Sequence, residues 1–448
     1  MMELIVVLVV FLCLILTGMP IALALGASGF LGIVLVQGFS QATAAVGDVP
    51  FSVMSNYSLI LIPMFILMGV VFAESGVAAE VFRAAARLVG RFPGGLAMST
   101  VVATQLFSGI SGSSAADVAT VGRISIREMR RHGYPAPYAA ATVAASAAGA
   151  VLIPPSIALV MYGVLTQESV GELLVAGIIP GALTGLAMCG LIWMLARRRS
   201  LGVGEYSVEQ IESDLEREAD PLLTISRNRP WWYGLAYAAT LFLIVMGGIY
   251  AGFFSATEAA SVGALAAIVL AVVASPRRRE IARTLFASVR ESVGVSGMIF
   301  GVLIGGSIFN YFLTVTGLPT DFAIWISGLD VPPKVTVALL LLALVPLGMF
   351  LDGLSLLLIT VPVMYPVVET LGFNGVWFGI LAVCAIEIGL ITPPVGLNVF
   401  VVAGIDREVK IESVFRAVAP FVVVIFIAMI AFFLVPDLVT WLPGHMSL

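Results

Sequence analysis

Two short runs of small and polar residues interrupt long apolar stretches of this chain. The first is Gly-Ile-Ser-Gly-Ser-Ser at 109–114, and the second is Gly-Met-Phe-Leu-Asp-Gly at 348–353. A double proline follows each run about 40 residues later, at 154–155 and at 393–394. Glycine lets the backbone turn tightly, and proline lacks an N–H donor and frees a carbonyl one turn earlier. Freed carbonyl and hydroxyl oxygens suit a hard cation, so this pattern predicts Na⁺ binding.

Each predicted cation site combines one interruption with the double proline of the same copy. Sodium site 1 comprises Ser111, Gly112, Ser113, Ser114, Pro154, Pro155 and Ser156. Sodium site 2 comprises Asp352, Gly353, Ser355, Thr392, Pro393, Gly396 and Asn398. Ser113, Ser114 and Asn398 are also predicted to line the substrate path. A double proline alone indicates a helix kink, but its recurrence at equal distance from a glycine-containing break favours a functional interpretation.

Acidic residues inside apolar stretches are further candidates, because an ionisable group in the bilayer costs ~2.5–3.5 kcal/mol on insertion scales. Glu387 lies six residues before Pro393 in such a stretch. It is the coupling candidate, and it could bind a cation, carry a proton or hold a neighbouring helix by hydrogen bonds. Asp117 is predicted to cap the helix that follows the first interruption.

The composition indicates a polytopic helical membrane protein. Of 448 residues, 60% are hydrophobic and 11% are charged, and the mean hydropathy is +1.10. Several apolar runs approach or exceed the roughly 20 residues that cross a bilayer. Neither Lys nor Arg lies at the centre of a predicted span, so an anionic substrate would depend on helix N-termini, backbone amides and bound cations. That arrangement favours co-transport with Na⁺.

The chain contains an internal repeat with opposite charge bias in its two copies. Gly348 lies 239 positions after Gly109, and the same displacement superimposes the two double prolines. Arginines crowd 123–132 in the first copy, whereas 369–374 in the second contains neither Lys nor Arg. Since short Lys/Arg-rich loops stay cytoplasmic, the copies must have opposite orientations. The predicted fold is an all-α inverted-topology repeat with about ten transmembrane helices and two re-entrant hairpins, an architecture of secondary transporters.

The chain is predicted to divide into five parts. Residues 1–58 form N-terminal scaffold helices, 59–199 form repeat 1, 200–230 form an acidic cytoplasmic linker, 231–293 form a scaffold helix pair with an amphipathic helix, and 294–448 form repeat 2. The alternation of apolar residues and arginines over 78–92 predicts an amphipathic helix on the membrane surface. A second such helix is predicted over 281–293 as its mirror, and a polar loop is predicted around Asp48 and Pro50.

Three stretches resemble a known family: Phe-Ser-Gly-Ile-Ser-Gly-Ser-Ser-Ala-Ala-Asp at 107–117, Leu-Ile-Pro-Pro-Ser at 152–156, and Glu-Ile-Gly-Leu-Ile-Thr-Pro-Pro-Val-Gly-Leu-Asn at 387–398. The pattern is similar to the large membrane subunit of tripartite ATP-independent periplasmic (TRAP) transporters, the DctM/SiaM-like proteins. The likeness covers nearly the whole chain except 200–230, which is longer and more acidic than this family leads us to expect.

The resemblance implies a Na⁺-driven elevator importer of organic acids, such as C4-dicarboxylates or sialic acid-like carboxylates, in the bacterial inner membrane. Its implied partners are a small four-helix, DctQ-like membrane subunit and a periplasmic substrate-binding protein. Na⁺ would be the coupling ion, with no other cofactor. The first two spans and the pair over 231–274 would form the scaffold, while the hairpins, the broken spans and the spans over 173–195 and 414–434 would move.

Other classes of function are weighed against this one. A stand-alone Na⁺-coupled carboxylate transporter or antiporter would show the same repeat but need no binding protein. An enzyme is disfavoured because His132 and His445 both lie outside the spans and no nucleophile–base or metal-ligand spacing occurs. A channel is disfavoured because no rings of polar pore-lining residues recur. Nothing in the sequence indicates a nucleic-acid partner.

Overall fold

The computed structural model describes residues 2–198, 230–274, 278–328, 331–406 and 408–446. Every regular element in these ranges is a helix. The predicted linker lies outside the described residues except for Pro230, so its predicted role stays untested.

The first half of the chain contributes eleven helices to the described structure. They are α1 (Met2–Leu16), α2 (Ile21–Gln37), α3 (Phe39–Met54), α4 (Leu61–Glu74), α5 (Val77–Val89), α6 (Gly95–Ser111), α7 (Ser114–Arg131), α8 (Ala136–Ala150), α9 (Ile157–Thr166), α10 (Val170–Ala176) and α11 (Ile178–Arg197). A single 3₁₀ turn, Tyr57–Ile60, leads into α4.

The second half contributes ten more helices. They are α12 (Tyr233–Tyr250), α13 (Ala256–Ala274), α14 (Arg278–Val315), α15 (Leu318–Ser327), α16 (Pro333–Gly348), α17 (Gly353–Thr370), α18 (Gly375–Leu390), α19 (Leu397–Ile405), α20 (Ile411–Leu434) and α21 (Asp437–Thr440). A 3₁₀ turn, Pro443–His445, follows α21.

Length and hydropathy fit a multi-pass membrane protein. Among the described residues, seven helical stretches are long and apolar enough to cross a bilayer, and six shorter apolar helices accompany them. The shorter ones include α1, α2 and the first arm of each hairpin. Both long spans predicted to be broken at a double proline are indeed split, into α8 and α9 and into α18 and α19.

The internal repeat is visible in the helix bounds. Displacing α7 by 239 positions gives the bounds of α17 without any offset, and α8 and α9 fall on α18 and α19 within one residue. In the first copy, α6 and α7 pack against each other as the two arms of a hairpin. In the second copy, α16 and α17 do the same. The predicted pair of hairpins is therefore present.

Three predicted elements were wrong. The polar loop around Asp48 and Pro50 is the helix α3. The separate amphipathic helix over 281–293 does not exist, because α14 runs through it as one helix of 38 residues. The predicted mirror relation is wrong too: the repeat displacement carries α5 onto α15, and it carries α3 onto the first part of α14. The helix predicted over 78–92 does form, as α5, and it packs against α6 and α12.

Close helix contacts build the part of the structure around α2 and α14. A Cβ on Gly29 would lie 2.7 Å from Phe309 Cα, and one on Gly305 would lie 2.0 Å from the Ala22 carbonyl oxygen. Glycines therefore permit this approach, as small residues do between helices in membranes. α13 packs on α4, and α14 packs on both α4 and the hairpin arm α17.

The hairpins and the split helices pack across the two repeats. Arm α7 of the first hairpin contacts α19 of the second copy, and arm α17 of the second hairpin contacts α9 of the first. This reciprocal packing encloses a largely apolar core that includes Tyr162, Phe107, Phe378 and Phe421, all fully buried. It also buries most of the first interruption, whereas the second stays more open, with Phe350 64% exposed.

Candidate functional site

The tip of the first hairpin is a tight reversal made by two residues. Gly112 ends α6 with a left-handed backbone (φ 66°), which glycine adopts without steric cost. Ser113 is extended (φ −139°) and precedes α7 without a side-chain capping bond. Main-chain groups of the tip therefore face the segment that packs on it.

The double proline of the first copy packs on this tip. The Ile157 N–H donates to the Gly112 carbonyl at 3.2 Å. A Cβ on Gly112 would lie 2.8 Å from the Pro155 carbonyl oxygen, and one on Gly109 would lie 3.2 Å from that of Pro154. The structure thus brings together the two segments predicted to form sodium site 1, with Pro154, Pro155 and Ser156 all buried.

Three serine hydroxyls of this site, those of Ser111, Ser114 and Ser156, already have partners in the protein. Ser111 donates to the Asp117 carboxylate, and its oxygen accepts from the Ser113 N–H at 3.4 Å. The Ser156 hydroxyl accepts from the Leu159 N–H at 3.4 Å, which caps α9. Backbone carbonyls of the tip and of the double proline are therefore the better candidates for ligands, and half-buried Ser113 is the hydroxyl closest to the surface.

Asp117 does not have the predicted capping role. It is fully buried in the first turn of α7, where it accepts from Ser111 rather than from a backbone N–H. Its Oδ2 atom is buried without a hydrogen-bond partner. Because Asp117 is hydrogen-bonded to Ser111 of the predicted sodium site 1, it belongs to the candidate site.

The tip of the second hairpin packs on the second split helix in the same way. The Gly396 N–H donates to the Met349 carbonyl at 3.2 Å. Gly396 lies 239 positions after Ile157, so equivalent backbone donors reach the hairpin tip in both copies. A Cβ on Gly389 would lie 2.6 Å from the Val345 carbonyl oxygen, which makes glycine necessary at this contact.

The predicted side chains of sodium site 2 divide into two groups. Asp352 caps α17 by accepting from the Ser355 N–H at 3.1 Å, next to Gly353, the first residue of that helix. Thr392 donates to the Ile388 carbonyl at 2.6 Å, and Pro393 is exposed. The second break is therefore more open than the first.

Ser355 and Asn398 form the second group, with fully buried side chains. The Ser355 hydroxyl and both amide atoms of Asn398 are buried without hydrogen-bond partners. Uncompensated burial of such groups costs free energy. A ligand hydrogen-bonded to these groups would offset that cost.

Glu387 connects the second copy to the tip of the first hairpin. Its Oε1 atom accepts from the Ser114 hydroxyl at 3.2 Å, and its Oε2 atom is buried without a partner. Asn398 and Asp117 are the other side chains whose electrostatic interactions reach this carboxylate. The resulting polar cluster holds two carboxylates, an amide and several hydroxyls. Its surplus of acceptor oxygens suits a cation, or the hydroxyl or ammonium donors of a ligand.

Polar contacts that no local signal in the sequence predicts join the two copies at the ends of the hairpins. Tyr365 donates to Glu168 at 2.6 Å, and Arg130 donates to Asp406 at 2.7 Å. Glu168 lies beside Gly375, whereas Arg130 lies beside the segment that follows α19. The arginine-rich end of the first hairpin and the 369–374 connection thus neighbour different segments of the other copy. That placement agrees with opposite orientations of the repeats.

The fold and the paired interruptions define a multi-pass membrane transporter built from two repeats. The solved structure of the Alcanivorax borkumensis YdaH transporter, described as having an unusual topology, superimposes with a TM-score of 0.60. The two chains are 15% identical, and the superposition covers 88% of each. This similarity concerns the fold.

The sequence comparisons give the family. A model of the DctM component of tripartite ATP-independent periplasmic transporters matches residues 8–438. The C4-dicarboxylate TRAP transporter large permease protein DctM of Pseudomonas aeruginosa is 34% identical over 428 residues, 95% of each chain. The sialic acid TRAP transporter large permease protein SiaM of Vibrio cholerae is 30% identical and covers 87% of this chain and 86% of its own. The chain belongs to the DctM family of TRAP transporter large permeases.

This result confirms the family predicted from the three motifs. Relatives of this kind are transporter permeases and not enzymes. Large permeases of the family work with a small membrane subunit and a periplasmic binding protein. The isethionate TRAP transporter permease protein DctMQ of Oleidesulfovibrio alaskensis is 31% identical; the match covers 95% of this chain and 64% of that protein.

Proposed function

We propose that this chain is the translocating subunit of a Na⁺-coupled importer of organic acids in the bacterial inner membrane. Relatives named for C4-dicarboxylate and sialic acid support a carboxylate substrate. The substrate would arrive on a periplasmic binding protein, and a separate small membrane subunit would complete the transporter.

The observation that carries Na⁺ coupling is the duplicated contact between a hairpin tip and a split helix. In each copy an equivalent N–H, that of Ile157 or Gly396, holds the tip against the break. We expect carbonyl oxygens of both segments to bind the ion at these two related places, because irregular backbone inside a membrane protein lines binding sites. A Na⁺ ion at each place would hold the hairpin tip against the break in the split helix.

The substrate would bind between these two places. Ser113 and Ser114 lie at the first tip, and Ser114 is hydrogen-bonded to Glu387 of the second copy. Asn398 provides unpartnered amide atoms at the start of α19. The N-termini of α7 and α19 add the positive ends of helix dipoles, which favour a carboxylate.

Coupling between Na⁺ and the substrate would follow from the order in which they bind. Bound Na⁺ would offset the negative charge of the substrate, so the substrate would bind after Na⁺. Each Na⁺ that enters down the membrane potential provides ~2.3 kcal/mol per 100 mV. We propose that the hairpins and split helices move together past the remaining helices as an elevator.

The test is uptake into proteoliposomes that contain the chain with its small subunit. Labelled C4-dicarboxylates, sialic acid and related carboxylates are supplied with and without the binding protein, under an inward Na⁺ gradient or with Na⁺ replaced by choline. The proposal expects uptake that requires both Na⁺ and the binding protein. Equal uptake without the binding protein would indicate a transporter that needs no such partner, and uptake insensitive to Na⁺ would refute the coupling.

A further inference from the structure

Two polar contacts tie the repeats together at opposite ends of the hairpins. The first joins the second hairpin to the loop after α9: the Tyr365 hydroxyl donates to Glu168 Oε1 at 2.6 Å. Beside it, the Tyr162 hydroxyl donates to the Gly375 carbonyl at 2.8 Å. Side chains of the first copy thus hold both the arm α17 and the start of α18.

The second tie joins the first hairpin to the segment after α19. One Arg130 nitrogen, Nη1, lies 2.7 Å from Asp406 Oδ2, and Nη2 lies 2.8 Å from Glu408 Oε2. The Asp406 side chain is 9% exposed, so this ion pair is partly shielded from solvent. An arginine fork that bridges two carboxylates is a geometrically specific contact.

The repeat relates these ties to each other. Displaced by 239 positions, Glu168 falls between Asp406 and Glu408, and Arg130 falls on Glu369, one helical turn after Tyr365. Each tie therefore joins the second arm of one hairpin to the segment behind the split helix of the other copy. The two ties occupy corresponding places in the repeats but differ in chemistry. One is a tyrosine–carboxylate hydrogen bond and the other is an arginine–carboxylate ion pair.

The loop that carries Glu168 packs very differently on its other side. A cavity of about 510 Å³ separates residues 163–171 from a second group of lining residues: Asn56, Ser58, Leu61, Ile249, Gly252, Phe254, Ser255, Ala256 and Thr257. The loop is thus bonded to the second hairpin, whereas on the side of α4 and the α12–α13 connection it borders this cavity.

We propose that Tyr365–Glu168 and Arg130–Asp406/Glu408 are positioning pairs that stay closed throughout transport and hold each hairpin on the opposite repeat. They fix the outer ends of α7 and α17, so that the tips at the other ends of these arms are ordered for Na⁺. The inference rests on the proposed function, and it excludes a cycle in which a hairpin arm swings away from the other repeat as a gate.

The experiment uses cross-links in the complete transporter with Cys13, Cys189 and Cys384 replaced. The pairs E168C/Y365C and R130C/E408C are treated with a bifunctional maleimide long enough to span a tyrosine side chain. Without cross-linker, each pair is expected to raise the Na⁺ concentration for half-maximal uptake by about two- to tenfold, the factor for one lost hydrogen bond. With cross-linker, uptake is expected to persist and the Na⁺ requirement to return toward that of the parent.

A matched control links the two sides of the cavity. Gln167 and Ser255 both line it, one on the loop and one on the α12–α13 connection. Cross-linked Q167C/S255C is expected to stop uptake, because the loop can then no longer move past its neighbour. Arrest by the two tie cross-links, or continued uptake by the cavity cross-link, would overturn the inference.

A second measurement does not depend on transport. Hydrogen–deuterium exchange of 109–115 and 348–356 is compared among the parent, Tyr365→Phe and Arg130→Gln in nanodiscs. Faster exchange at the tip of the affected hairpin is expected, and unchanged exchange in both variants would contradict the positioning role. If the variants exchange faster than the parent but the parent shows no Na⁺-dependent uptake, the proposed function fails while the ties stand.

Discussion

The Ser114 hydroxyl donates to Glu387 Oε1 at 3.2 Å although 273 positions separate the two residues in the chain. Ser114 begins the second arm of the first hairpin, and Glu387 lies in the last turns of α18. One hydrogen bond therefore connects the tip of one repeat to the split helix of the other. It places a buried carboxylate between the two predicted cation sites.

We expect Glu387→Gln to raise the Na⁺ concentration for half-maximal uptake by about tenfold or more, because hydrogen bonds and contacts of a buried charge are strong. Ser114→Ala should have a smaller effect, since the carboxylate remains. The measurement is the Na⁺ dependence of binding-protein-dependent uptake. Glu412→Gln, the same change at an exposed position, is the control. Equal Na⁺ curves for Glu387→Gln and the parent would remove Glu387 from coupling.

Gly112→Ala should lower both thermal stability and Na⁺-dependent uptake. Its left-handed backbone costs a non-glycine residue roughly 1–2 kcal/mol, and the new Cβ would also lie 2.8 Å from the Pro155 carbonyl oxygen. Gly133→Ala is the matched control, because Gly133 has a similar φ of 82° and no atom within 4 Å of its Cβ position. Comparable losses of uptake in both variants would show that the close approach to Pro155 has no role.

Asp352 allows its capping role to be separated from a role in cation binding. Asn caps helices as well as Asp does, whereas Ala at an N-cap costs ~1 kcal/mol. We expect Asp352→Asn to keep the melting temperature and to weaken the dependence of uptake on Na⁺, and Asp352→Ala to lower both. A variant Asp352→Asn with the parental Na⁺ titration would leave Asp352 as a helix cap alone.

Cysteine labelling tests the opposite orientation of the repeats. Arg123 and Thr370 are both exposed, one in the arginine-rich arm and the other at the end of the second hairpin. In a cysteine-free chain, we expect Arg123→Cys to react with a membrane-impermeant maleimide from the cytoplasmic side and Thr370→Cys from the periplasmic side. Labelling of both from one side would contradict an inverted repeat.

Local signals in the sequence predicted the hairpins and the split helices well. Glycine, serine and proline act on the backbone within a few residues, so the breaks at 112–113 and at the two double prolines occur where they were expected. The charge bias of the loops likewise predicted opposite orientations for the two repeats. These features need no knowledge of tertiary contacts.

Elements with mixed signals were predicted poorly. α3 contains Gly47, Asp48 and Pro50, which weaken its apolar periodicity, yet it packs on α2 and α14 as a helix. In α14 the charges at 283, 290 and 291 and the glycines at 294 and 297 indicated a boundary. Tertiary packing overrode these local preferences.

The contacts between the two copies could not be predicted from the sequence. The displacement of 239 positions relates equivalent residues, whereas Ser114–Glu387 and Arg130–Asp406 pair residues that are not equivalent. The partner of each depends on how one repeat packs on the other. Similarly, the burial of Asp117 and of its unpartnered Oδ2 atom depends on the three-dimensional surroundings of the tip.

The unbroken course of α14 has a mechanical consequence. At 1.5 Å per residue its 38 residues extend for about 57 Å, well beyond the ~30 Å of hydrocarbon in a bilayer. The charge-free part after 293 alone is long enough to cross, so the charged first part must continue past the lipid tails along the same axis. A lipid headgroup or protein that binds this projecting end would change the tilt of the whole helix. The face of α14 that packs on α17 would then move with it.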